Sequence, residues 1–110
     1  MFSIVGFCDV SGDCISSANY PNGYSGQDTC QITVQQVAYV HILDDFHIET
    51  SDRLNVAGSR VLTKQDMPRL VNSGDVIEWD ADSDQENGGW KFCLQKCFEV
   101  PMLCFGLKRF

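Results

Sequence analysis

Six of the twelve residues from 75 to 86 are carboxylic acids (Asp75, Glu78, Asp80, Asp82, Asp84 and Glu86), and no base lies among them. Such a density costs self-repulsion unless the side chains splay into water or a cation holds them. Cysteine is the second chemical resource: Cys8, Cys14, Cys30, Cys93, Cys97 and Cys104. An even set of thiols in a short chain reads as a disulfide framework and predicts an oxidising compartment, although the residues alone leave the pairing open. Zinc is the weaker reading. No C-x-x-C pair occurs, and His41 and His47 are far in sequence from Cys93, Cys97 and Cys104.

Catalytic material is sparse. A histidine acts as a general base only with an aligned partner, and His41 and His47 are better read as ordinary strand residues. Ser16-Ser17 is not part of a G-x-S-x-G elbow, and no Gly-rich phosphate loop is present. Trp79 and Trp90 have the surface to stack on a sugar ring, but their placement at strand ends favours packing. The expectation is a protein that is not an enzyme.

Composition bounds the rest. The chain has 110 residues, 44% hydrophobic and 21% charged, which suits a single ordered domain. Its net charge of −7 argues against nucleic acid as a partner, because phosphate neutralisation needs clustered Lys and Arg. The imbalance is local: residues 1–90 hold four bases and fourteen acids, whereas residues 91–110 hold four bases and one acid. No apolar run approaches the roughly 20 residues of a membrane-spanning helix, and the start Met1-Phe2-Ser3-Ile4-Val5-Gly6-Phe7 shows neither the positive n-region nor the apolar stretch of a secretory signal. The chain is therefore expected to be a mature or excised portion of a longer precursor.

The elements that must position these groups are short strands. Ile32 and Val34 alternate with Gln31, Thr33 and Gln35; Leu54 and Val56 alternate with Arg53 and Asn55; Trp90, Phe92 and Leu94 alternate with Lys91, Cys93 and Gln95. Residues 39–43 and 75–79 add two more β-rich runs. Asn22-Gly23, Ala57-Gly58, Ser73-Gly74 and Asn87-Gly88-Gly89 supply turns. No segment keeps an apolar period of 3.6 residues over three turns. The pattern predicts an all-β, antiparallel β-sandwich of five to ten strands.

Several of these blocks, in order, resemble the CUB domain family. Cys14-Ile15-Ser16-Ser17-Ala18-Asn19-Tyr20-Pro21-Asn22-Gly23-Tyr24 followed by Cys30-Gln31-Ile32 is similar to its opening motif. Phe46-His47-Ile48-Glu49 with Asp52-Arg53-Leu54-Asn55-Val56-Ala57-Gly58 resembles its paired acidic blocks. Ile77-Glu78-Trp79-Asp80-Ala81-Asp82-Ser83-Asp84 with Gly89-Trp90-Lys91-Phe92 resembles its acidic loop and closing strand. The resemblance spans about residues 8–95. Ala18 stands where the family has Pro, Ala81 where it has Ser, and the family's usual second cysteine pair is absent.

The resemblance implies a CUB-like jelly roll over residues 1–97, used extracellularly or in an oxidising lumen for protein binding. It implies Ca²⁺ at one end of the sandwich, held by Glu49, Asp52, Asp82 and Asp84 and steadied by Tyr24. Ca²⁺ takes six to eight hard oxygens, so the donor type fits. Asp44, Asp45, Asp80 and Glu86 read as solvated charge. The family pattern implies Cys8–Cys30; Cys14–Cys93 and Cys97–Cys104 are then the expected remaining pairs. Residues 98–110, apolar and ending in Lys108-Arg109-Phe110, are expected to be an extra strand or a docking segment. Two alternatives stand beside the binding module. One is a permanent subunit on the lumenal or exoplasmic face of a larger, perhaps membrane, complex; the other is a carbohydrate-binding module using the tryptophans.

Overall fold

Alternation of apolar and polar side chains drives this chain into strands whose inner faces must be covered, and two sheets cover each other. In the computed structural model, which describes residues 1–20, 22, 28–42, 46, 48, 52–81 and 89–105, ten strands form. They are β1 (Phe2–Gly6), β2 (Asp9–Ser11), β3 (Cys14–Ser16), β4 (Thr29–Val34) and β5 (Ala38–His41). The others are β6 (Arg53–Val56), β7 (Ser59–Val61), β8 (Leu70–Val71), β9 (Val76–Asp80) and β10 (Lys91–Lys96). One five-stranded sheet has the order β1-β4-β9-β6-β7 and the other β2-β3-β10-β5-β8, and every pairing is antiparallel. This is the expected β-sandwich.

The inward residues are the ones the alternation selects. Ile32 and Val34 of β4, Leu54 and Val56 of β6, Ile77 and Trp79 of β9, and Phe92 and Leu94 of β10 are all buried. Trp90, just before β10, is fully buried against them, edge-on to Trp79 with ring centroids 5.6 Å apart and stacked on Phe92 at 5.5 Å. Both tryptophans are thus enclosed, and neither offers a ring face to a sugar. That is the packing expected of them, and it removes their rings from the carbohydrate-binding alternative: apolar area of this size is stabilised more by the core than by water.

Three disulfides form: Cys8–Cys30, Cys14–Cys93 and Cys97–Cys104. They match the expected pairs and mark an oxidising environment. Cys8–Cys30 ties the β1–β2 connection to β4, and Cys14–Cys93 joins directly opposed residues of β3 and β10. Cys97–Cys104 closes the chain after β10, where Pro101–Phe105 forms a short helix, α1. The first part of the tail is therefore helical rather than an extra strand. Pro101 opens it, a position where a missing N–H costs nothing. Among the described residues, no helix is long and apolar enough to cross a membrane.

Candidate functional site

Strand direction decides which loops meet. Thr29 at the start of β4, Arg53 at the start of β6 and Asp80 at the end of β9 lie side by side, since Asp80 pairs with both of the others. Beyond them, the Ala81 N–H donates to the Asp28 carbonyl at 3.0 Å. On the β1 side, the Phe7 N–H donates to the Thr29 carbonyl at 2.8 Å. The other sheet brings Asp9, Ser16 and Lys91 into one cross-strand row. These residues make one end of the sandwich, hereafter the rim.

Two local devices hold the rim. Ser17 is fully buried; its N–H donates to the Trp90 carbonyl at 3.0 Å, and its hydroxyl accepts from the Trp90 N–H at 3.1 Å. This reciprocal pair carries the β3–β10 pairing one step past the strands. The Asp9 carboxylate accepts the Asn19 N–H at 3.0 Å, pinning a residue whose φ of 67° lies in the left-handed region. Asn tolerates that region better than most residues, because its short polar side chain bonds locally.

Asp52 is the expected ligand that the structure describes. It is fully buried, and its carbonyl accepts a hydrogen bond from the Arg60 Nη2 at 3.0 Å. A carboxylate removed from water needs a partner of opposite charge, a donor or a metal. Glu49, Asp82, Asp84 and the supporting Tyr24 lie outside the described residues, as do Asp44, Asp45, Glu86 and His47. Their chain neighbours do not. Ile48 is buried and its N–H donates to the Leu62 carbonyl at 2.9 Å, just past the rim end of β7. Ala81, buried and bonded to Asp28, immediately precedes Asp82. The anchors of the two acidic segments therefore stand at the same end. Among the described residues, no group of three or more His, Cys, Asp or Glu side chains is arranged to hold a metal ion.

Some rim residues carried no sequence signal. Asp28 has no motif around it, and its role as the carbonyl that receives Ala81 follows from register. Ser17 reads as a loop serine until β10 arrives beside it. His41, expected to be an ordinary strand residue, is exposed on the outer face of β5, opposite Cys93. At the other end of the molecule, the Cys97–Cys104 loop presents Phe98, Met102 and Leu103 to solvent, 73%, 51% and 44% exposed. Lys96 reaches over the Phe98 ring with its Nζ 5.7 Å from the centroid. No protein-family model, curated protein or solved structure matches the chain.

Proposed function

We propose that this chain is a non-enzymatic, CUB-like interaction module that works outside the cytoplasm and carries Ca²⁺ at its rim. Supporting this is one observation above all: Ile48, Asp52 and Ala81, the described neighbours of Glu49 and Asp82, are anchored at a single end of the sandwich. In this reading Glu49, Asp52, Asp82 and Asp84 supply carboxylate oxygens to one ion, with Tyr24 bracing the loop that faces them. The ion removes the mutual repulsion of the acids and leaves a net negative, ordered surface. A protein partner presenting Lys or Arg side chains is the complement of that surface. Three disulfides fit an extracellular or lumenal setting for such a module.

Isothermal titration with CaCl₂ tests the reading on the intact, oxidised chain. The expected result is one site that is lost in Asp82→Ala and retained in Asp45→Ala. Equal loss in both variants, or no heat in the unmodified chain, overturns it.

A second reading has its own observation. Phe98, Met102 and Leu103 form an exposed apolar knob beside Lys96, and patches of this kind mark contacts with other chains. A permanent subunit of a larger complex would use the knob as its attachment. Removing residues 98–110 together with Cys97→Ser then abolishes co-purification with the complex while the sandwich stays folded. Unchanged co-purification excludes this attachment.

A further inference from the structure

We propose that the Cys14–Cys93 disulfide is a thiol-exchange site, at which an external thiolate attacks Cys93 and releases Cys14. The three bridges differ in what an attacking thiolate would meet. Cys97 and Cys104 are 2% and 1% exposed, so neither sulfur of that bridge is within reach. Cys8 is half-buried, but attack there expels the Cys30 thiolate into the hydrophobic core, where an isolated charge is costly. Cys14 and Cys93 are both half-buried, and theirs is the one bridge of the three with neither sulfur-bearing residue buried.

Strand order supplies the direction. β10 lies between β3 and β5, so the side of Cys93 away from Cys14 faces His41, its partner across β5. A displacement at sulfur needs the nucleophile on the side opposite the leaving sulfur. An open cavity of about 360 Å³ lined by Asp13, His41, Cys93, Leu94 and Gln95 reaches Cys93, with His41 bordering it from the attack side and Asp13, next to Cys14, from the other. On the leaving side a separate cavity of about 190 Å³ is lined by Cys14 together with Lys91. A nearby ammonium stabilises a thiolate, and a lower leaving-thiol pKa speeds exchange. Asp9 lines that cavity too, and its carboxylate is engaged by the Asn19 N–H.

The step balances without a further reagent. An incoming RS⁻ forms a new S–S bond to Cys93 Sγ, the Cys14–Cys93 bond breaks, and its electron pair leaves on Cys14 Sγ. The products are a mixed disulfide at Cys93 and a Cys14 thiolate. The ligand class is a small thiol such as glutathione or an exposed cysteine of a thiol oxidoreductase. This inference does not depend on the calcium reading.

Incubating the full oxidised chain with millimolar reduced glutathione, quenching in acid, alkylating and mapping peptides without reduction tests it. The expected first product carries glutathione on Cys93 and an alkyl group on Cys14, formed at least roughly tenfold faster than any product at the other four cysteines. Lys91→Gln slows that product severalfold, and His41→Trp, which fills the cavity at Cys93 from the attack side, slows it as well. First modification at Cys8, Cys30, Cys97 or Cys104, equal adduct on Cys14 and Cys93, or no adduct at any site overturns the proposal. A Lys91→Gln rate equal to that of the unmodified chain overturns the part assigned to Lys91.

Discussion

Replacing Gly6 with alanine is predicted to destabilise the sandwich far more than the same change at Gly12. Gly6 ends β1 opposite Cys30 with φ +115°, a conformation that residues with a Cβ rarely adopt. An added Cβ there would lie 2.3 Å from the Thr29 carbonyl oxygen and 2.7 Å from the Cys30 Cα. Both atoms are backbone, so no side chain can swing aside; β1 must lift from β4, loosening the rim beside the Cys8–Cys30 bridge. Gly12 has φ +61° and nothing within 4 Å, so its alanine variant bears the dihedral cost alone. That cost is about 1 kcal/mol, and the clash raises the Gly6 variant to about 3 kcal/mol or more. For a domain of this size the two correspond to Tm decreases of roughly 4 °C and roughly 12 °C. Thermal unfolding followed by circular dichroism under oxidising conditions measures both. A Gly6→Ala midpoint no lower than that of Gly12→Ala would refute the close approach of β1 to β4.

The core makes a second prediction: Phe92→Ala, which unstacks Trp90, costs about 3–5 kcal/mol in urea unfolding, and a cost below about 1 kcal/mol contradicts the packing described. Bridges should rank by the chain they close. Replacing both Cys14 and Cys93 with serine, a separation of 79 residues, costs about 4–5 kcal/mol on the loop-entropy model, against about 2–3 kcal/mol for Cys97 and Cys104, separated by 7. Reversal of that order in equilibrium unfolding would show that the short bridge does more than close its own loop. Calcium at about 100 times its dissociation constant raises stability by about 2.7 kcal/mol, and the gain disappears with EDTA; a melting curve indifferent to both removes the ion.

The strands that were legible in the sequence are those buried on one face only. β4, β6 and β10 alternate because one side of each meets the other sheet and the other side meets water. β1 carries no alternation because Ile4 and Val5 are adjacent apolar residues, with Val5 left 76% exposed at a sheet edge. The β2–β3 hairpin, turning at Gly12, has strands of three residues, too short for a period to show. Which strands become neighbours is not a local property. Pairing β1 with β4 and placing β10 between β3 and β5 depend on core closure, so the rim partners Asp28 and Ser17 could not be named in advance. Motif resemblance singles out Asp52, yet its complete burial has no local signal, since Ser51 and Arg53 on either side are both polar. The tryptophans show the opposite case, because their placement at strand ends already argued for packing, and both are buried.

The central claim is that acids from separate segments share one ion at the rim. Crystals grown with CaCl₂ and measured for anomalous scattering test it most directly. The account predicts a single strong peak within 2.3–2.6 Å of carboxylate oxygens from Glu49, Asp52 and Asp82. A map in which Glu49 and Asp82 stand apart with no peak between them would contradict it.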